Sequence, residues 1–227
     1  MKRLETFVAL AKEQLQPIAG RSGRILYSGA HTLRRGPMYL LGLNPGGDPT
    51  THNDTVGSSL KELLNRTENA YLDESWKNCR IGQSPLQRRV QWLLGELGFQ
   101  TRDICASNLI FTRSIDATGS GYPEIAELCW PVHEQIIALV QPRFIVAFGN
   151  SAESPYQFLR QKLHAKNEQW VPSGHGNWQC ATFVSAEGLR VFGLPHLSRY
   201  AVSSNPHVAA WVRETALQPG APADAAR

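Results

Sequence analysis

Short apolar runs alternate along this chain with segments of helical period, and that alternation restricts the fold more than any other feature of the sequence. The runs Tyr39 to Leu43, Asp103 to Phe111, Phe144 to Phe148 and Leu189 to Leu194 are of strand length, and most end at Gly, Pro or polar residues. Between them, Leu4, Phe7, Val8, Ala11 and Leu15 share one helical face. Val90, Leu93, Leu94 and Leu97 do the same in Pro85 to Leu97, a helix that Gly98 stops. Further helices are expected over Ser59 to Asn65, over Pro123 to Val140, from a cap at Asn150 or Ser151 to about His164, and over about Pro206 to Leu217. Glu187-Gly188 reads as a turn joining Ala181–Ser185 to the last strand. Strands that alternate with helices bury a mostly parallel sheet between helical layers. The expected fold is therefore α/β, a three-layer sandwich whose central sheet has about four strands flanked by helices. A chain of 227 residues suits one such domain, set at residues 1–218, with a Pro- and Ala-rich tail at 219–227 expected to be disordered.

The sharpest strand end is Met38-Tyr39-Leu40-Leu41-Gly42-Leu43-Asn44-Pro45-Gly46-Gly47-Asp48-Pro49. Two prolines there remove donors, and paired glycines allow close backbone approach. Asn44 thus stands at the mouth of a buried strand with Asp48 just beyond, and open α/β sheets bind ligands outside the carboxyl ends of their strands. Asn108 lies near the end of the second strand. His196 follows the fourth, in Phe192-Gly193-Leu194-Pro195-His196-Leu197-Ser198. In a parallel sheet all three share one edge, and two amides and an imidazole converging on one crevice make a candidate site. Singly, each has a plainer role in its own turn or in the core.

Little else in the sequence suggests chemistry. A net charge of +4 and a pI near 9.0 permit a polyanionic partner without requiring one. The four cysteines, at 79, 105, 129 and 180, include no C-x-x-C pair, so free thiols are expected, with neither a metal site nor a cofactor. No apolar stretch approaches the ~20 residues of a membrane span. The amino-terminal pattern is amphipathic and unlike a signal peptide, which makes the cytoplasm the expected compartment. No membrane partner is expected, and the expected state is a monomer.

Gly42-Leu43-Asn44-Pro45-Gly46 resembles the first active-site motif of the uracil-DNA glycosylase superfamily, in the form used by its mismatch-specific and single-strand-selective branches. Ala106-Ser107-Asn108-Leu109 resembles the strand whose asparagine reads the flipped base, and Phe144 to Ala152 the strand-glycine-helix segment before the last motif. Leu194-Pro195-His196-Leu197-Ser198 occupies the place of the histidine motif. The resemblance runs in the expected order from about Tyr39 to Tyr200, and its first motif is the sharp one. It implies a DNA glycosylase that hydrolyses the N-glycosidic bond of a flipped pyrimidine-type base and leaves an abasic site. Asn44 would hold the water, His196 would donate to the departing base, and Asp48 would assist with the water or bind a substrate hydroxyl. Asn108 would pair with the base edge, beside Gly42, Leu43, Phe111 and Gly57. Gly46, Gly47, Ser198, Arg199 and Tyr200 would meet the DNA. These motifs contain no lysine, so a Schiff-base lyase step is not expected and the enzyme would be monofunctional.

One departure bears on the substrate. The family's stacking aromatic is expected shortly past the first motif, where this chain has Asn53-Asp54-Thr55-Val56-Gly57-Ser58-Ser59. Either the pocket is open there and takes an enlarged or sugar-modified pyrimidine, as in some phage DNA, with Asp48, His52, Asn53 and Asp54 bonding its hydroxyls, or Phe111, Trp76 or Tyr71 supplies the wall. Two other classes compete with a glycosylase of repair or phage defence: a non-catalytic relative that binds modified DNA, and a small-nucleotide hydrolase. Arg34-Arg35 and Arg88-Arg89 are further candidate phosphate contacts.

Overall fold

Apolar on both sides, the central strands lie in a sheet covered on both faces. The computed structural model describes residues 2–50 and 54–217; His52, Asn53 and the 219–227 tail lie outside them. Strands β1 (Met38–Gly42), β2 (Cys105–Asn108), β3 (Phe144–Phe148), β4 (Lys166–Pro172), β5 (Gln179–Val184) and β6 (Arg190–Leu194) form one sheet in the order β2-β1-β3-β6-β5-β4. The first four in that order pair in parallel, and β5 and β4 extend the sheet antiparallel. The sheet thus has six strands where the sequence suggested about four. The added edge strand β4 has no residue in the buried class, so it carries no apolar run to read.

Side chains alternate between two cores. Tyr39, Leu41, Ile145, Ala147 and Val191 pack with helices α1 (Lys2–Gln14), α2 (Val56–Lys61), α5 (Glu124–Val140) and α6 (Pro155–Lys162). Met38, Leu40, Ala106, Val146, Phe148 and Phe192 pack with α3 (Ala70–Asp73), α4 (Pro85–Glu96) and α7 (Pro206–Leu217). Each fully buried Leu, Val or Ile contributes roughly 1.5–3 kcal/mol relative to exposure, which fixes the layers. Helix α4 starts in a capping box between Ser84 and Gln87 with Pro85 in its first turn. Helix α6 starts later than the sequence suggested. Ser154 caps it ahead of Pro155, while Asn150 spends its amide on the carbonyls of Gln179 and Gly193.

His133 on α5 is fully buried beneath the sheet. Its Nε2 lies 2.9 Å from the Leu109 carbonyl and its Nδ1 2.9 Å from the Tyr39 hydroxyl, so Nε2 carries the proton and Nδ1 accepts. Burial pushes its pKa down to about 4. Burial also pushes the thiols of Cys105, Cys129 and Cys180 up to about 12, leaving them protonated. No helix among the described residues is long and apolar enough to cross a membrane.

Candidate functional site

The chain leaves β1 toward β2 and leaves β3 toward β6, on opposite sides of the adjacent β1–β3 pair. The loops diverge there, at the carboxyl ends of these strands, the position where such sheets bind ligands. Strand alternation turns Gly42, Asn108 and Phe148 to the same face, that of α3, α4 and α7. They are in contact. A Cβ on Gly42 would collide with Asn108 Oδ1 and come within 2.7 Å of Phe148 Cζ, so glycine is required there by space. The Phe148 ring meets the His196 ring edge-on at 5.5 Å.

Asn108 and His196 border this floor, and Asn44 follows Gly42 by two residues on the loop leaving β1. Asn108 is 4% exposed and its Nδ2 has no hydrogen-bond partner, although the Tyr27 hydroxyl approaches the side chain. A buried donor left unpaired costs about 1–3 kcal/mol and marks a place where a ligand or water completes the structure.

Asn44 is partly buried and oriented. Its Nδ2 donates to Ser114 Oγ at 2.7 Å and to the Pro45 carbonyl at 2.9 Å. The single Ser114 hydroxyl proton goes to the Asp116 carbonyl, so Ser114 can only accept from Asn44. The amide therefore has one orientation, and among the described residues its Oδ1 has no protein partner.

His196 follows the same logic. The Ser198 backbone N–H donates to His196 Nδ1 at 3.2 Å and the Ser198 hydroxyl lies 2.7 Å from the same atom, so Nδ1 accepts and Nε2 carries the proton. Burial, aided by the charge of Arg199, lowers its pKa to about 4 and keeps the ring neutral. Arg89 braces this turn from α4 by donating to the Leu197 carbonyl at 2.7 Å.

Several expected site residues stand elsewhere. Asp48 is exposed, and its Oδ1 accepts the amide and hydroxyl of Thr50, which together hold the carboxyl below its usual range. It is a turn carboxylate, with no hydrogen bond or ion pair to Asn44, Asn108 or His196. Phe111 is fully buried against the His133 ring at 4.8 Å and cannot wall the crevice. Gly57 lies in α2, where an added Cβ would meet the Ala19 carbonyl at 2.9 Å. Leu43 is a core residue, as is Tyr71. Tyr200 is fully buried and donates to the Ser173 carbonyl at 2.6 Å, so it is a brace beneath the histidine turn and not a surface contact. The Gly47 amide is spent on the Ser114 carbonyl at 3.2 Å, whereas Gly46, Ser198 and Arg199 remain exposed at the site edge.

Sequence reasoning missed Ser114, Phe148 and Tyr27. Phe148 was within reach, since it ends the strand beside β1. Tyr27 and Ser114 carry no local signal, because only the fold brings them to Asn108 and Asn44. No protein-family model matches the chain, and no curated protein matches it.

Proposed function

We propose that this protein is a monofunctional DNA glycosylase that hydrolyses the N-glycosidic bond of a flipped pyrimidine-type base. The reading is supported above all by the complementary states of Asn44, Asn108 and His196 at one edge of the sheet: a free carbonyl oxygen, a buried unpaired N–H, and a neutral imidazole with its Nε2 proton available. Cleavage develops positive charge on the sugar and negative charge on the departing base. Asn44 Oδ1 accepts a hydrogen bond from the attacking water and aims it; an amide is too weak a base to take the proton early, so its contribution is orientation. His196 Nε2–H donates to the oxyanion of the leaving base, and its pKa ensures that it does so as a fixed dipole. Asn108 Nδ2 donates to a base acceptor, which recovers the cost of its unpaired burial. The base must leave the stack to reach these groups.

A pocket opened for an enlarged base requires Val56-Gly57-Ser58 at its border. Gly57 packs on Ala19 instead, and the aromatic beside Asn108 and His196 is Phe148. An ordinary pyrimidine such as uracil is therefore the first substrate to test. Single-stranded and duplex DNAs carrying uracil or modified pyrimidines should be assayed for abasic sites, with mass spectrometry of the released base. Release that disappears in Asn44→Ala and His196→Ala would support the reading. Folded protein that binds these DNAs and releases nothing would instead be the non-catalytic relative.

A further inference from the structure

Beside the Asn44 loop lies a hollow of about 380 Å3, bounded by the chain after α1, by Pro49, and by the turns that follow β2. Its polar side chains are two guanidiniums, Arg21 and Arg113, and three hydroxyls, Ser22, Thr112 and Ser120; the rest of the lining is proline and glycine. Among the described residues no carboxylate lines it. Elsewhere four guanidiniums are neutralised by carboxylates: Arg24 and Arg66 by Glu74, Arg102 by Asp73, and Arg160 by Glu168. Neither Arg21 nor Arg113 forms an ion pair among the described residues. The nearby carboxylates of Asp48 and Asp116 are occupied within their own turns, by Thr50 and by Thr118 with Gly119.

Arg113 is also fixed in place. Its Nε donates to Ser22 Oγ at 3.2 Å and its Nη1 to the Gly46 carbonyl at 2.9 Å, so one guanidinium joins the hollow to the loop that carries Asn44. Two guanidiniums with no lining carboxylate, one of them held in place with its Nη2 uncommitted among the described residues, suit a phosphate group. By contrast, the larger hollow of about 500 Å3 near α4 contains Asp103 and an Arg102 already paired with Asp73, so it offers no uncompensated positive charge.

We propose that the Arg21–Arg113 hollow binds a backbone phosphate of the strand whose base enters the Asn44 crevice. This rests on the nucleic-acid reading above but not on hydrolysis. Pro49 lines the hollow and Arg113 holds the Gly46 carbonyl, so a strand held by the phosphate would run beside the loop that carries Asn44.

The test is inorganic phosphate titrated at constant ionic strength against a chloride control, followed by NMR of the Arg113 Nε–H and of the backbone amides of Ser120 and Gly121. Saturable shifts at these groups are expected in the wild type, weakened about tenfold in Arg21→Gln and abolished in Arg21→Glu. Arg21 is exposed, so these variants should fold. A single-stranded oligonucleotide with one abasic position should displace the phosphate, and its log K against log salt slope should fall by about 0.7 in Arg21→Gln. Shifts that are absent, or unchanged in both variants, would overturn the proposal. So would an oligonucleotide that leaves the phosphate in place, since the hollow would then hold only a free anion. Displacement without base release from any DNA would sustain the hollow and count against the glycosylase reading alone.

Discussion

At the scale of single residues, the site depends on atoms whose hydrogen-bonding roles are set by neighbours. Ser114 orients Asn44, and Ser198 orients His196. Removing the donor to the leaving base, as in His196→Ala, should lower the single-turnover rate by about 10²–10³-fold while leaving thermal stability close to wild type. Ser114→Ala frees the Asn44 amide to rotate; the loss of one orienting bond should lower the rate about tenfold with DNA affinity unchanged. An equal loss in rate and affinity would mean that Ser114 only shapes the loop. The pH profile gives an independent check. With its pKa lowered to about 4, His196 is neutral above that value and charges only below it. The rate should therefore be flat from about pH 5 to 8. An inflection near the ordinary histidine value would show that the ring is solvated and that its assigned role is wrong.

At the scale of elements, the ends of β1, β2 and β3 act as one unit, because Gly42 leaves the space that Asn108 and Phe148 fill. Gly42→Ala should push Asn108 off its position, costing about 1–3 kcal/mol through overpacking and abolishing discrimination between bases before the fold is lost. Chemical denaturation alongside cleavage of two different bases would measure both effects; unchanged discrimination would remove Asn108 from base recognition. The same scale explains what the sequence could reveal. β1 and β3 were legible as apolar runs because both their faces are buried, and the turn chemistry after β1 marked Asn44. Helix α4 was legible from its period and its Gly98 stop. By contrast β4, exposed along its length, has no pattern, and α3 is only one turn held by Gln87 bonding to the Ala70 and Glu74 carbonyls. Phe111 and Tyr200 were misread because an aromatic near a motif in sequence can point into either core, and only packing decides which.

At the scale of the whole molecule, His133 links the two-sided burial of the sheet to acid sensitivity. Its folded pKa, about 4, lies below its unfolded value, so the unfolded chain binds more protons between roughly pH 4 and 6.5. Its contribution to stability is complete above that window and is lost as pH falls through it, on the order of 3 kcal/mol in total. His196 shifts in the same direction and adds to the loss. Urea unfolding between pH 7 and 4.5 should show this decline, and His133→Gln should flatten it even though the variant is less stable at neutral pH. A slope unaffected by the substitution would place the acid sensitivity elsewhere. Finally, the bonds that orient the site reach far along the chain: Asn44 to Ser114 across 70 residues, and Arg89 to Leu197 across 108. Contacts of such separation require large loops to close first, so they form late when the chain refolds. After dilution from denaturant, helical signal and tryptophan burial should return before any catalytic competence, making activity a clock for the final closure of the molecule.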